Sequence, residues 1–295
     1  MPATASPAVR PSAFVVPMPE DPRWYQIACL SGLLAYGVTF LEFDVTPLRA
    51  VAIVATAQLT QYAGSRWKQI PFDPLSAMIS ALSLCLLLRA NHLPVLMGAA
   101  VIAIGSKFVL RLGSKHVFNP TNLGIAIAVV LTGDAWISPG QWGNQATLAF
   151  LFACLGGFVV HRSDRMDVTF ATLLFWSGIV IGRSMWLGEP MTIPLHRLQS
   201  GSILLFSFFM ISDPKTTPDH RAGRILFAAL VCAFAYYWQF KLFNNSGLVW
   251  GLVLISPLVP LIDHLLPGPR YTWPGGKQPV PEAAPITTHE ALAAK

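Results

Sequence analysis

Charged residues are scarce in this chain. Only 12% of its 295 residues are Asp, Glu, Lys or Arg, while 54% are hydrophobic; an ordinary soluble domain carries about 25% charged residues. So few charges cannot cover the water-exposed surface of a chain of this length, which excludes a soluble globular protein. The net charge of +6 lies in the segments between apolar runs. Membrane orientation explains it, and no nucleic-acid partner is predicted.

Several catalytic and metal-binding motifs are also missing. The sequence contains no Walker loop, no zinc-binding HExxH and no nucleophile elbow. Its four cysteines stand singly inside apolar runs without CxxC spacing, as small buried hydrophobes do: Cys29, Cys85, Cys154 and Cys232. No metal site and no specific catalytic residue is predicted from these patterns.

What the chain does have is a series of long apolar runs. A helix needs about 17 to 25 apolar residues to cross the bilayer, and helices satisfy their own backbone hydrogen bonds in lipid. The pattern predicts an all-α polytopic membrane protein with about ten transmembrane helices. The predicted spans are Trp24–Leu41, Leu48–Tyr62, Leu75–Leu88, Leu93–Leu110, Thr121–Thr132, Ala146–Val160, Val168–Leu187, Gln199–Ile211, Arg224–Phe240 and Gly247–Leu266.

The segments outside these spans predict the orientation. Residues 1–23, rich in Pro and Ala, are interpreted as a flexible cytoplasmic arm, residues 24–266 as the membrane domain and residues 267–295 as a disordered cytoplasmic tail. With both termini inside, Lys and Arg favour the cytoplasmic side by about three to one. The prediction is a multi-pass protein of the cell inner (plasma) membrane. Lys107 and Arg183 lie near span ends and are expected to reach the interface.

Two short sequence matches indicate an internal duplication. IPFDPL at 70–75 resembles IPLHRL at 193–198, and FNPTNL at 118–123 resembles FNNSGL at 243–248, with offsets of 123 and 125 positions. Each match precedes an equivalent span. Five spans per unit is an odd number, so the second unit would enter the membrane from the opposite side. The prediction is two inverted five-helix repeats, about 24–143 and 144–266.

Three Asx-Pro elements are predicted at the cytoplasmic face, at Asp73-Pro74, Asn119-Pro120 and Asp213-Pro214. One interpretation is helix capping, because Pro suits the first helical turn and an Asx side chain accepts from free amides. The other is an anion site at helix N-termini, for example for the phosphate of a flavin or nucleotide.

The polar segment 209–224 carries carboxylate, hydroxyl and cationic side chains, which fits an anionic ligand, a partner surface or a solvated loop. The candidate ligand or partner site comprises Phe118, Asn119, Pro120, Thr121, Asn122, Gly124, Ser212, Asp213, Pro214, Lys215, Thr216 and Thr217. In the loop 132–143, Trp136 and Trp142 fit an interfacial aromatic belt or a stacking surface for a ring-shaped cofactor.

Several of these segments resemble a known family. FNPTNLG at 118–124 resembles the FNPAxLG element of the RnfD/NqrB family of membrane electron-transport subunits, and FFMISDPKTTP at 208–218 resembles its FFMATDPVTSP element. RAGRILF at 221–227 and VPLID at 259–263 are similar to its RGRLIFG and VPLID. The likeness runs from the third predicted span to the tenth. Within the family, FNPTNLG, SPGQWG and MISDPKTTP are similar to the branch labelled enediyne biosynthesis protein UnbU.

The resemblance implies a ten-helix, internally duplicated subunit of a redox complex, with other redox or membrane subunits as partners in the lipid bilayer. Family members carry a covalent flavin on the threonine of an SGAT motif, which this chain lacks. The nearest similar segment, 167–172, has no glycine. No covalent flavin is therefore expected, whereas a noncovalent flavin (FMN or riboflavin) or a quinone stays open.

Two functions remain from the sequence. The first is a subunit of a membrane oxidoreductase complex that takes part in transmembrane electron transport through a flavin, a quinone or a redox partner. The alternative is a small-solute transporter or channel built on the same inverted-repeat scaffold, which would bind no redox cofactor.

Overall fold

The computed structural model describes residues 21–113, 115–138, 156–157, 159–161 and 163–271. The greater part of the predicted N-terminal arm and C-terminal tail lies outside the described residues. So do most of the sixth predicted span, Cys154 and the Trp142 end of the loop 132–143.

The described residues are mostly helical, and each of the other nine predicted spans overlaps a helix. The helices are α1 Pro22–Phe40, α2 Pro47–Lys68, α3 Pro74–Leu87, α4 Leu93–Val109, α5 Pro120–Thr132, α6 Met166–Leu187, α7 Thr192–Leu198, α8 Gly201–Met210, α9 Arg221–Lys241 and α10 Gly247–Leu265. Of these, α6, α9 and α10 are long and apolar enough to cross a membrane, while α3, α4, α5 and α8 are shorter apolar helices.

The described residues also contain four short strands. Strands β1 (Leu88–Ala90) and β4 (Ala135–Ile137) pair antiparallel and tie the end of α3 to the segment after α5. Strands β2 (Arg111–Leu112) and β3 (Lys115–His116) pair between α4 and α5. Neither pair is predicted by a pattern in the sequence.

Side-chain caps followed by proline begin four helices. Asp21, Thr46, Asp73 and Asn119 each accept a hydrogen bond from a backbone amide of the first turn, and the next residue is Pro in every case. The caps satisfy amides that have no partner within the helix. Asp213-Pro214 differs, because it lies in a turn and the next helix begins at Arg221.

The same helix pairings occur in the two halves of the chain. Helix α4 packs on α2 and α5, and α9 packs on α6 and α10. Gly124 of α5 lies so close to α4 that a Cβ atom there would stand 2.6 Å from the carbonyl oxygen of Ala99. Gly251, 127 positions later, lies just as close to the carbonyl oxygen of Val231 on α9. Glycine thus allows close helix contact at matching positions.

Candidate functional site

A cavity of about 530 Å³ opens where α3 and α5 begin. We call it the basic cavity and define it by Arg23, Lys107, Arg111, Asn119, Asp213 and Lys215, which lie along its wall. These residues come from α1, α4, β2, the α5 cap and the turn after α8. The cavity therefore combines residues from both halves of the chain.

Asn119 connects the two halves at this cavity. Its side-chain oxygen accepts from the amide of Asn122, 3.1 Å away, and so caps α5. Its side-chain nitrogen donates to the carbonyl of Met210 at the end of α8, 3.1 Å away. The side chain is 6% exposed, so both hydrogen bonds are shielded from solvent. Asn119 is thus both a cap and a bridge to the Asp213 turn.

Asp213 organises the turn that follows α8. Its carboxylate accepts from the amide of Lys215 at 3.0 Å, and its carbonyl accepts from the amides of Thr216 and Thr217. Burial raises the pKa of the Asp213 carboxyl, an effect that the Lys215 amide and the charges of Lys107 and Lys215 oppose. Burial likewise lowers the pKa of the Lys215 ammonium.

Lys107 supplies a buried cation to the same wall. It is only 5% exposed, and its expected reach to the membrane interface stays a prediction. Its ammonium donates to the carbonyl and hydroxyl oxygens of Ser76 on α3, at 3.2 and 3.0 Å. An ionisable residue inside an apolar run is itself a signal of function, and this signal could have placed Lys107 in the candidate site.

His116 is a second wall residue that the sequence analysis missed. Its Nδ1 atom is buried and has no hydrogen-bond partner among the described residues. Burial lowers the pKa of its imidazole to about 3, with smaller contributions from Lys107, Arg111 and Lys215. The ring is therefore neutral at pH 7 and adds no charge to the basic cavity.

The structure brings seven of the twelve predicted site residues to the basic cavity: Asn119, Pro120, Thr121, Ser212, Asp213, Pro214 and Lys215. The other five do not line the cavity and instead make packing contacts or hydrogen bonds around it. Phe118 packs beside Leu123 and Val253, and Asn122 donates to the carbonyl of Val249. Gly124 faces α4, and the hydroxyls of Thr216 and Thr217 donate to the Asp213 carbonyl.

About half of the chain, including the Asp213 turn of the candidate site, is similar to a known protein family. Residues 128–271 match the NQR2, RnfD, RnfE family. The predicted family resemblance is confirmed over this segment, which contains the Asp213 turn. Asn119 and the FNPTNLG segment lie before it, so the match begins later in the chain than the sequence motifs suggested. Together with the long apolar helices, this NQR2, RnfD, RnfE match identifies a membrane protein.

Curated relatives carry names from the same family. The chain is 30% identical over 141 residues to a subunit of the ion-translocating oxidoreductase complex of Escherichia coli O1:K1 / APEC. It is 35% identical, again over 141 residues, to the subunit of the same name from Escherichia coli O6:H1 strain CFT073. In both alignments 46% of this chain is covered, and the chain spans 36% of the length of the relative.

Ion pairs hold the Asp213 turn of this RnfD-like segment in place. Lys115 on β3 lies 2.9 Å from the carboxylate of Asp219 and 2.7 Å from that of Asp263 on α10. Asp263 also accepts a hydrogen bond from the backbone amide of Asp219, at 2.7 Å. Arg224 on α9 donates from Nε to the carboxylate of Asp167 on α6 at 2.8 Å. Arg224 also donates to the carbonyl of Asp219, so the end of the turn contacts β3, α10 and α9.

A second cavity, of about 430 Å³, lies where α8 and α10 begin. We call it the aromatic cavity and define it by Trp176, Arg197, Phe206, Met210, Gln239 and Asn245. Leu87 at the end of α3 lines it as well, whereas the start of α3 lines the basic cavity. In α8 the first residues, from Gly201, line the aromatic cavity, and Phe208 and Phe209 near its end line the basic cavity. The two cavities therefore lie at opposite ends of α3 and α8, and these helices run in opposite directions.

Proposed function

We propose that the chain is a multi-pass membrane subunit of an ion-translocating oxidoreductase complex, and that its basic cavity holds a noncovalent redox ligand, a flavin (FMN or riboflavin) or a quinone. The observation that carries this proposal is the meeting of Asn119 and Asp213 at one cavity. They stand 94 positions apart in sequence, and the Asn119 side chain reaches the end of the helix that precedes Asp213.

The charges of the wall favour an anionic ligand. Four cations line the wall: Arg23, Lys107, Arg111 and Lys215. Because Arg23 pairs with both Asp21 and Asp73, three cations remain against the carboxylate of Asp213. Burial raises the pKa of the Asp213 carboxyl, and the charges of Lys107 and Lys215 oppose this shift. Fixed cations in a poorly solvated cavity stabilise negative charge strongly, whether on a phosphate or on a reduced ring. A reduced flavin or a semiquinone carries such charge.

The ten-span, two-repeat architecture with cytoplasmic termini is part of the proposal. It is supported by the recurring helix pairs, by the matching positions of Gly124 and Gly251, and by the opposite directions of α3 and α8. With the predicted orientation, the basic cavity faces the cytoplasm. Most of the basic residues then lie on that side, as the positive-inside rule requires.

The experiment is a visible absorption spectrum of the full chain purified in detergent, followed by acid precipitation and by extraction of quinones into organic solvent. We expect either flavin absorption that acid releases into the supernatant, or an extractable quinone. Lys215→Ala should lower the ligand occupancy. The matched control is Lys241→Ala, because Lys241 is exposed at the far end of α9 and does not line the cavity.

The alternative is a small-solute transporter or channel. It is favoured by one observation: Met210 lines both cavities, so the two spaces share a wall residue. A protein that contains and rebinds neither flavin nor quinone, yet releases a trapped solute from liposomes, would support this function and contradict the redox proposal.

A further inference from the structure

We propose that the aromatic cavity is a second binding site, and that it takes an amphipathic anion, a carboxylate or phosphate group attached to an apolar body. This site lies at the opposite end of α3 and α8 from the basic cavity. The inference does not depend on the proposed redox function.

The inner wall of the aromatic cavity is apolar and buried. Trp176, Phe206 and Met210 are 4%, 3% and 2% exposed, and Leu87 and Val180 extend the same surface. A volume of about 430 Å³ lies within the range of small-molecule sites, roughly 300 to 1,000 Å³. Contact with this wall removes apolar ligand surface from water, which stabilises an apolar body there.

The rim of the cavity is polar and positively charged. Arg197 and Asn245 are exposed, and none of the described residues that line the cavity is acidic. The Arg197 guanidinium lies 5.4 Å from the centre of the Phe240 ring and has no carboxylate within salt-bridge distance among the described residues. Arg183 faces the same ring at 4.5 Å, but it pairs with Glu189 at 3.0 Å. Arg197 interacts with Glu189 at longer range but forms no salt bridge among the described residues, so its guanidinium can bind an anionic ligand.

The helix starts at this rim differ from those at the basic cavity. Helices α3 and α5 begin with caps from Asp73 and Asn119, whereas Ser200 and Ser246 make no side-chain cap to α8 and α10. Helix N-termini without caps leave backbone amides that attract negative charge. These amides supplement Arg197. The buried apolar wall and the cationic rim together match a ligand with an apolar body and an anionic head.

Titration calorimetry on the full chain in phosphatidylcholine nanodiscs tests this site. The probe is 2-naphthoate, a carboxylate on a two-ring body, and 2-naphthylmethanol is its neutral counterpart; empty nanodiscs correct for partitioning into lipid. We expect binding of the anion that is at least about tenfold stronger than that of the alcohol. Arg197→Gln should remove this preference, and Arg197→Lys should keep part of it.

The matched control is Arg49→Gln, which removes a cation that does not line the aromatic cavity and already pairs with Asp44. Its effect on naphthoate affinity should be less than about twofold. Equal binding of the acid and the alcohol, the absence of naphthoate binding, or an Arg49→Gln effect equal to that of Arg197→Gln would each overturn the proposal.

A further experiment with anionic lipid distinguishes two sources of the anion, a lipid headgroup and a soluble amphipathic molecule. Nanodiscs that contain phosphatidic acid are studied by native mass spectrometry and by competition with 2-naphthoate. Retained phosphatidic acid that Arg197→Gln releases supports a lipid headgroup as the occupant. Undiminished naphthoate binding without retained lipid supports a soluble amphipathic anion.

Discussion

The side-chain nitrogen of Asn122 donates a hydrogen bond of 2.9 Å to the main-chain carbonyl of Val249. Asn122 is the third residue of α5 and Val249 the third residue of α10, so the bond joins matching positions of the two halves. Asn122 is 1% exposed. The first turns of α5 and α10 therefore meet in the interior, between the basic and the aromatic cavity.

The first prediction is that Asn119 and Asp213 act as one site. Asn119→Ala should cost about 1 to 2 kcal/mol of stability because it removes the α5 cap, and it should also lower the occupancy of the ligand in the basic cavity. Asp213→Ala should lower occupancy too. In the double variant the loss of binding free energy should be smaller than the sum, because either change already disrupts the site.

Asn122→Ala is the matched control for this experiment. It removes the bond to Val249 and should cost about 1 kcal/mol, yet it should leave occupancy unchanged because Asn122 does not line the basic cavity. Ligand occupancy and thermal stability are measured on all four variants. If the stability losses of the single variants add up in the double variant and the ligand occupancy does not change, Asn119 and Asp213 have structural roles only.

The second prediction concerns pH. The folded state lowers the pKa of His116 to about 3 from its ordinary value of 6.5, so between these values the unfolded chain binds the proton more tightly. The contribution of His116 is thus fully present above about pH 6.5 and is lost as the pH falls toward 3, with a slope of at most about 1.4 kcal/mol per pH unit.

His116→Gln should flatten this dependence. Thermal stability in detergent is compared for the two proteins between about pH 4 and pH 7, and the difference isolates His116 from other titrating groups. Parallel curves would show that the histidine is not buried as a neutral ring.

The third prediction tests the close helix contact at Gly124. Gly124→Ala places a Cβ atom 2.6 Å from the carbonyl oxygen of Ala99 and 2.8 Å from the Cβ of Ala103; we expect a loss of about 1 to 3 kcal/mol. Gly98→Ala on α4 is the control, since a Cβ there meets nothing within 4 Å. It should be neutral or stabilising by up to about 1 kcal/mol. Equal thermal shifts of the two variants would contradict this packing.

The fourth prediction is topological. Reporter fusions after Lys68, Lys115 and Arg270 should read cytoplasmic, and a fusion after Gly188 should read outside, because the proposed architecture gathers the basic residues on one side and has five spans in each repeat. An external reading after Arg270 would rule out the ten-span arrangement.

The fifth prediction is that the denatured protein carries no covalent flavin, even when a flavin-attaching enzyme is coexpressed. The SGAT acceptor is missing, and the Thr172 hydroxyl of the nearest similar segment is buried and donates to the Val168 carbonyl of its own helix. In-gel fluorescence provides the measurement. A fluorescent band that Thr172→Ala abolishes would refute this expectation.

Local patterns in the sequence predicted the helices well, because the length of an apolar run and an Asx or Thr before Pro are properties of neighbouring residues. The starts of α3 and α5 follow this pattern closely. The same pattern misled at Asp213-Pro214, where the proline lies in a turn. Short strands such as β1 were missed, since their pairing depends on a partner far along the chain.

By itself, the sequence determined that this is a helical membrane protein, where nine of the ten helices named above lie and which family its second half resembles, since these depend on composition and local order. Only the tertiary structure decided that Asn119 and Asp213 share a cavity, that Lys107 is buried against Ser76, and that Arg197 borders a second, apolar cavity. The physical reason is that each of these sites is formed by side chains from different helices, whose packing brings together residues tens of positions apart.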